Sequence, residues 1–212
     1  MDQHNKNKLI GSVNWNFINT ISQTILTFGV GVILARILDP GDFGLFGLTI
    51  IVLGILNLLL TGSISRFIIQ KENLDSQDIG TSLGISILLS LLAYIFVWFI
   101  SPLVASFFNE TILTDLIRIY TISIFFISVS SILRGILIKK MNFKLLFYTD
   151  LIAIVCGYSI VGIILALNNF GVFSLIYATL VKELFTLITL YLFSKPGISF
   201  KIKIAKLKHI FY

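Results

Sequence analysis

Residues 34–48 read Leu-Ala-Arg-Ile-Leu-Asp-Pro-Gly-Asp-Phe-Gly-Leu-Phe-Gly-Leu, and they lie between two long apolar runs. The middle of this stretch stops a helix, because Pro40 has no backbone N–H and disfavours helical backbone at Asp39. The carboxylate of Asp42 can then cap a helix that begins at Phe43. The stretch therefore predicts a tight hairpin that joins two helices of membrane length.

The composition of the whole chain points to an integral membrane protein. Its 212 residues are 57% hydrophobic and 12% charged, with a mean hydropathy of +0.99, whereas soluble domains are about 45–50% apolar and about 25% charged. The formal net charge is +6, but the charges lie between apolar runs, so no nucleic-acid partner is predicted. Cys156 is the single cysteine and is interpreted as a packing residue. His4 and His209 lie near opposite ends of the chain, and we predict neither a metal site nor a cofactor.

Six stretches have the roughly 20 mainly apolar residues that a spanning helix needs. The sequence therefore predicts an all-α membrane protein whose six transmembrane helices form one lobe, at residues 13–38, 43–69, 80–104, 113–137, 145–167 and 172–193. The basic N-terminus is not interpreted as a signal peptide, because the apolar run after it is far longer than the ~7–15 residues such a peptide uses.

The distribution of Lys and Arg predicts the orientation of these helices. Only Arg36 and Arg118 fall on the second predicted side of the membrane, and Lys182 lies within a span. Because basic loops stay in the cytoplasm, we expect both ends of the chain to be cytoplasmic. Thirteen of the 16 Lys and Arg residues fall on the first side: Lys6, Lys8, Arg66, Lys71, Arg134, Lys139, Lys140, Lys144, Lys195, Lys201, Lys203, Lys206 and Lys208.

Aromatic residues near the predicted span ends are typical of a membrane-interface belt. They are Trp15, Trp98, Tyr120, Tyr148 and Tyr191.

The chain divides into three predicted parts. Residues 1–12 form a cytoplasmic N-terminus, and residues 13–193 form the six-helix lobe. In residues 194–212 lysines alternate with apolar side chains, which favours a basic amphipathic linker on the inner leaflet. We expect the sequence to be truncated there, before a seventh helix.

Polar residues recur along one face of the first span. Asn16, Asn19, Gln23 and Thr27 follow each other at three- and four-residue steps. Asparagine and glutamine are costly in lipid unless they meet partners or water, so we interpret this face as the lining of a water-filled cavity. The Ser, Gly and Ala stripes of spans three to five instead predict close helix packing.

Lys182 lies about 15 Å into the sixth span, where an ionisable side chain is a functional candidate. Glu183 is adjacent, but neighbours on a helix point ~100° apart, so we do not expect the two to pair directly. Two interpretations stay open. Lys182 snorkels or pairs with Asp150 and thereby locks spans five and six, or it binds an anion in a cavity.

Four arginines lie near span ends. They can simply fix the topology, but a guanidinium fork also suits a pyrophosphate, because it donates two hydrogen bonds to paired oxygens. The four are Arg36, Arg66, Arg118 and Arg134.

Four stretches together resemble the polysaccharide biosynthesis/export family of flippases, within the multidrug/oligosaccharidyl-lipid/polysaccharide exporter superfamily. Phe-Gly-Val-Phe-Ser-Leu at residues 170–175 echoes Phe-Gly-Leu-Phe-Gly-Leu at residues 43–48. The four stretches are the hairpin at residues 34–44, Ile-Gln-Lys at 69–71 with the acidic loop at 72–78, the basic segment at 134–144, and residues 169–175.

The resemblance implies a fold of two six-helix lobes around a central cavity, with this chain as the first lobe. Alone it is not expected to transport, because alternating access rocks one repeat against another. The implied activity is export of undecaprenyl-pyrophosphate-linked sugar repeat units across the bacterial plasma membrane. Implied partners are that substrate, membrane lipids, and a glycan polymerase or glycosyltransferases.

The resemblance also implies roles for individual residues in a cationic, hydrophilic cavity. Sugar hydroxyls would bind to amide side chains, phosphates would bind to cations, and one carboxylate would take a coupling proton or sodium ion. The amides are Asn16, Asn19 and Gln23, the cations are Lys182, Arg36 and Arg118, and the carboxylate is Asp150 or Glu183.

Three other functions stay open. A multidrug/cation antiporter would favour deep acidic residues, whereas the deepest charge here is a lysine beside one glutamate. A membrane enzyme would need clustered acidic residues or histidines, and the two acidic pairs, Asp39/Asp42 and Asp75/Asp78, are interpreted as a helix cap and a solvated loop. A scaffold for glycan assembly is the third.

Overall fold

The computed structural model describes residues 3–71 and 74–194, and it confirms an all-α membrane protein. Within those ranges the chain forms helices and no strands. Most of the predicted linker, residues 195–212, lies outside the described ranges. The helices are α1 (Gln3–Ala35), α2 (Pro40–Gln70), α3 (Ser76–Phe108), α4 (Ile112–Thr121), α5 (Ser123–Lys139), α6 (Phe143–Ile152), a π-helix (Ala153–Ile160), α7 (Val161–Leu167) and α8 (Val172–Ser194).

Six helical stretches are long and apolar enough to cross a membrane. The fourth span consists of α4 and α5, and the fifth consists of α6, the π-helix and α7. All six predicted span starts agree with the spans of the structure to within four residues. The helix α1 extends beyond its span: it begins at Gln3, whereas the span begins at Asn14, one residue after the predicted start.

The predicted hairpin is present, but Asp42 does not cap its second helix. That helix begins at Pro40 rather than Phe43, because the first helical position needs no N–H donor and suits the fixed φ of proline. Asp42 lies in the first turn, and its carboxylate lies against Gly171, which has a φ of +53° in the turn before α8.

The helical lobe has two ends, the hairpin end and the basic end. The hairpin end contains the turns at residues 36–39, 109–111 and 168–171. The basic end lies opposite and contains Lys71, Lys139 and Lys140.

The fourth span lies at the centre of the lobe and packs against the second, third and sixth spans, while the first span packs mainly on the fifth. Small residues allow these approaches, as predicted. The Ser90 hydroxyl donates a hydrogen bond to the Ser128 hydroxyl at 2.8 Å. A Cβ placed at Gly135 would lie 3.2 Å from the side chain of Ile68.

Of the described glycines, Gly157 in the π-helix lies closest to a neighbouring helix. A Cβ at this residue would lie 2.5 Å from the Cα and 2.7 Å from the N of Lys182. The backbones of the fifth and sixth spans therefore touch at the level of Lys182, and glycine is required there for steric reasons.

The sequence suggested that Asp75 and Asp78 belong to a solvated loop, and for Asp78 this was wrong. Asp75 is exposed just before α3, whereas Asp78 lies in the first turn of that helix. Asp75 and Asp78 form a reciprocal capping box, and Asp78 is only 2% exposed. Lys71 forms an ion pair with Asp78 at 2.7 Å, and the Lys139 ammonium donates to the Lys71 carbonyl. Carboxylates are stabilised here because a helix N-terminus presents unpaired N–H groups.

The aromatic belt is partly as predicted. Trp98, Tyr148 and Tyr191 are exposed, and the Lys144 ammonium lies 5.7 Å from the centre of the Trp15 ring. Tyr120 is only 8% exposed and belongs to the core. Its assignment to the belt was wrong, because α4 packs inward at that position.

Substituting Gly157 should expose this steric limit. Gly157→Ala should lower the free energy of unfolding by about 1–3 kcal/mol, as overpacking does, because the added methyl collides with the α8 backbone. Thermal unfolding of the purified chain in detergent measures the effect.

Gly54→Ala is the matched control, because it adds the same methyl where no atom lies within 4 Å. It should be neutral or stabilising by up to ~1 kcal/mol through helix propensity. Equal unfolding temperatures for the two variants would contradict the proposed collision.

Candidate functional site

Asp150 on α6 is the centre of the most extensive polar network in the described residues. It is 5% exposed and lies about 10 Å along its helix from the basic end. Its Oδ2 accepts hydrogen bonds from Asn19 Nδ2 at 2.9 Å, Gln23 Nε2 at 3.0 Å and an Arg134 Nη at 3.0 Å. Its Oδ1 accepts from the other Arg134 Nη at 2.5 Å.

Two of these partners come from the first span. Asn19 and Gln23 are four residues apart on α1 and so share a face. The Gln23 amide also donates to the Asn19 side-chain oxygen at 3.0 Å. Asp150 thereby links the first, fourth and fifth spans, and four donors occupy a carboxylate that has about four acceptor positions.

Arg134 was predicted only as a topological or pyrophosphate-binding arginine, and its pairing with Asp150 was missed. A signal was present in the sequence. Arg134 lies five residues before the end of α5 at Lys139, and Asp150 lies seven residues after the start of α6 at Phe143. The two therefore lie at nearly equal depths, about 8 and 10 Å, on consecutive antiparallel helices.

Lys182 and Glu183 form a second ion pair. Lys182 Nζ lies 3.2 Å from Glu183 Oε1, so the expectation that neighbours on a helix would not pair was wrong. The long lysine stem is flexible enough to fold back along the helix. Asp150 pairs with Arg134 rather than Lys182, and spans five and six are instead held at Gly157.

These two pairs lie on helices that pack against one another. Lys182 and Glu183 are on α8, which contacts both α5 and α6, the helices that carry Arg134 and Asp150. The side chain of Lys182 is 32% exposed, so its ammonium is accessible to a ligand. Together these side chains form the central polar cluster, which consists of Asn19, Gln23, Arg134, Asp150, Lys182 and Glu183.

The central polar cluster is neutral rather than cationic, because its two cations are balanced by two carboxylates. Within the described ranges, no group of three or more His, Cys, Asp or Glu side chains is placed to hold a metal ion.

The outward side of α1 continues the polar surface. Gln23, Thr24, Thr27 and Phe28 line an open groove of about 490 Å³. Asn16 is exposed one turn before Thr20, whose hydroxyl donates to the Asn16 carbonyl at 3.0 Å. The polar face of the first span therefore borders both the central polar cluster and an open groove.

Arg36 and Arg118 lie apart from the central polar cluster. Arg36 is exposed in the hairpin turn. Arg118 lies in a pocket of about 300 Å³ between α3 and α4. The structure thus brings Asn19, Gln23 and Asp150 together but separates these two arginines from them.

Comparison with known proteins gives a consistent pattern. Residues 33–212 match the model of a family described as polysaccharide biosynthesis protein. The chain is 24% identical over 159 residues to an uncharacterized membrane protein in the cps region of Klebsiella pneumoniae, a match that covers 75% of this chain and 33% of that protein. It is also 22% identical over 158 residues to the lipopolysaccharide biosynthesis protein WzxC of Escherichia coli K12. That match covers 73% of this chain and 31% of the relative.

The chain therefore spans about a third of the length of these two relatives. No solved structure matches it.

A double-mutant cycle should measure the coupling between Arg134 and Asp150. Arg134→Gln should lower the free energy of unfolding by about 3–5 kcal/mol, because it leaves the buried carboxylate of Asp150 without its cation. Asp150→Asn should lower it by less, because the guanidinium that it leaves unpaired is about a third exposed to solvent. The double variant should lose less than the sum of the two. Thermal unfolding in detergent measures the stability of the four proteins that the cycle compares: the unsubstituted chain, the two single variants and the double variant.

Arg66→Gln removes an exposed arginine of the second span and should change stability by no more than about 0.5 kcal/mol. Additive losses in the double variant would show that the two side chains do not interact.

Proposed function

Since the chain belongs to the polysaccharide biosynthesis protein family, we propose that it forms the first six-span lobe of a flippase. The flippase would carry undecaprenyl-pyrophosphate-linked sugar repeat units from the inner to the outer leaflet of the bacterial plasma membrane. In this proposal the protein is a transporter rather than an enzyme, and a second lobe completes the cavity.

The central polar cluster is the observation that carries this proposal. Ionisable groups inside a membrane are expensive, and they mark the routes that polar substrates or ions follow. The cluster holds four charged side chains, and Lys182 is partly exposed near mid-membrane. A sugar pyrophosphate needs such a polar route, while its polyprenyl tail can remain in lipid.

Lys182 is the proposed phosphate ligand. Among the described residues its ammonium pairs with Glu183 at 3.2 Å, a longer distance than any of the four hydrogen bonds to Asp150. A pyrophosphate carries more charge than one carboxylate and would compete with Glu183 for the ammonium. The displaced carboxylate of Glu183 is then the proposed site for a coupling proton or sodium ion.

Asp150 is assigned a different role. Four donors already occupy its carboxylate, so we propose that it positions the first span rather than taking a coupling ion. Asn19 shares this positioning role. Asn16 and Gln23, which face more open space, are the proposed partners of sugar hydroxyls.

The proposed orientation places the basic end in the cytoplasm and the hairpin end outside. Lysines are concentrated at the basic end, and the positive-inside rule favours that end as cytoplasmic.

Accessibility labelling tests this orientation. After Cys156→Ala removes the only cysteine, Asn168→Cys at the hairpin end should react with a membrane-impermeant maleimide in intact spheroplasts. Lys140→Cys at the basic end should react only after permeabilisation. The reverse pattern would invert the orientation.

Complementation tests the proposed function. The full-length gene, expressed in a bacterium that lacks its own polysaccharide flippase, should restore surface glycan. Lys182→Ala should reduce that glycan at least tenfold at equal membrane levels, because the phosphate loses its cation, and Lys182→Arg should retain part of it.

Lys140→Ala is the matched control, because it removes an exposed lysine from the basic end and should leave glycan unchanged. Failure of the unsubstituted gene in several hosts with different glycans would contradict export of lipid-linked sugars. In that case an antiporter or a scaffold would become the better explanation.

A further inference from the structure

A second polar site lies toward the hairpin end, next to a proline inside α3. Pro102 lies inside α3 and has no N–H, so the carbonyl of Trp98, four residues earlier, lacks its helical partner. Two side chains bind that carbonyl instead. The Ser101 hydroxyl donates to it at 3.1 Å, and an Arg118 Nη on α4 donates at 3.3 Å.

The same contacts fix the guanidinium of Arg118. Its Nε donates to the Ser101 hydroxyl at 3.0 Å, and its central carbon lies 4.2 Å from the centre of the Trp98 ring. A guanidinium has five N–H donors, and these two hydrogen bonds use one at Nε and one at Nη. With respect to residues 3–71 and 74–194, three N–H groups therefore remain available to a ligand, in a side chain that is already held in place.

A carboxylate lies beside this guanidinium. Asp115 lines the same pocket, with Tyr94 and Phe173 on its aromatic walls. Asp115 is exposed and lies three residues from Arg118 on α4, so their Cβ atoms are roughly 5–6 Å apart. The pocket thus presents a fixed cation and an accessible anion side by side.

The surroundings of the pocket indicate lipid rather than water. Arg118 lies about 9 Å along α4 from its start at Ile112, near the level of phospholipid headgroups. Two large apolar side chains at the pocket are exposed and suit acyl chains: Ile122 lines the pocket, and Ile95 follows Tyr94 on α3.

We propose that this pocket binds the headgroup of a zwitterionic phospholipid that carries a primary ammonium. The phosphate binds the three free N–H groups of Arg118, and the ammonium binds Asp115 beside the ring of Tyr94. An anionic headgroup without an amine would face repulsion from Asp115. A quaternary ammonium could contact the aromatic rings but has no N–H to donate to the carboxylate.

The two tryptophans of the chain provide the test. Trp15→Phe leaves Trp98 as the only tryptophan of this chain, and Trp98 forms one wall of the pocket. The chain is reconstituted into vesicles with a fixed fraction of brominated phosphatidylethanolamine, phosphatidylcholine or phosphatidylglycerol. Quenching of Trp98 then reports how often each lipid occupies the site.

Phosphatidylethanolamine should quench Trp98 at least threefold more effectively than either other lipid at equal fraction. Asp115→Asn should remove its advantage over phosphatidylcholine. The complementary chain, with Trp98→Phe and Trp15 retained near the basic end, should show no preference for phosphatidylethanolamine.

Equal quenching by the three lipids would overturn the proposal, as would strongest quenching by phosphatidylglycerol. Relief of quenching by a polyprenyl-pyrophosphate sugar at low mole fraction would also overturn it, and would assign Arg118 to the transport substrate. The comparison of headgroups needs no substitution at Asp115, so misfolding of that variant would not affect it.

Discussion

The buried carboxylate of Asp150 is the constraint on which the arrangement of the first span depends. The first span is the most peripheral of the six and packs mainly on the fifth. Lipid provides no hydrophobic driving force for helices to associate. For the first span, the driving force comes from the buried Asp150 carboxylate, which needs hydrogen-bond donors. Two amides from α1 and a guanidinium from α5 meet at one point of α6. The polar face of α1 therefore has a fixed rotation relative to the rest of the lobe.

The other spans associate through shape rather than charge. The Ser90–Ser128 hydrogen bond and small glycines allow the third, fourth, fifth and sixth spans to approach closely, and backbones meet at Gly157. These two ways of joining helices suit two purposes. Close packing makes a rigid core, while the Asp150 network leaves the first span next to an open groove. Lys182 lies where the two regions meet.

Much of this fold was predictable from the sequence, because helix length, apolar runs and the Asp39-Pro40 break are local signals. The hairpin and the six spans follow from such signals. The start of α2 was predicted three residues too late, at Phe43 instead of Pro40, and Asp42 was therefore wrongly expected to cap the helix. The pairing of Arg134 with Asp150 depends on which helices are neighbours, and charge counting hid it by treating Arg134 as a topological charge. The Lys182–Glu183 pair was missed because helical spacing gives only the direction in which each Cβ points. A lysine side chain is long and flexible enough to reach a neighbour whose Cβ points elsewhere. The capping box at Asp75 and Asp78 was local and was overlooked.

The π-helix at residues 153–160 has a geometric consequence for the fifth span. A π-turn closes its hydrogen bond one residue later than an α-turn, so it holds an extra residue and turns the following helix by roughly 100° relative to a regular one. Twelve residues separate Asp150 from Gly162, so a regular helix would place them about 120° apart, and one inserted residue reduces this angle to about 20°. Both residues accordingly face the first span. Asp150 accepts hydrogen bonds from Asn19 and Gln23, and Gly162 lies against Leu34 of α1 as well as Ala178 of α8. A single inserted residue thus lets the fifth span satisfy a charge at one depth and pack tightly at another depth on the same side.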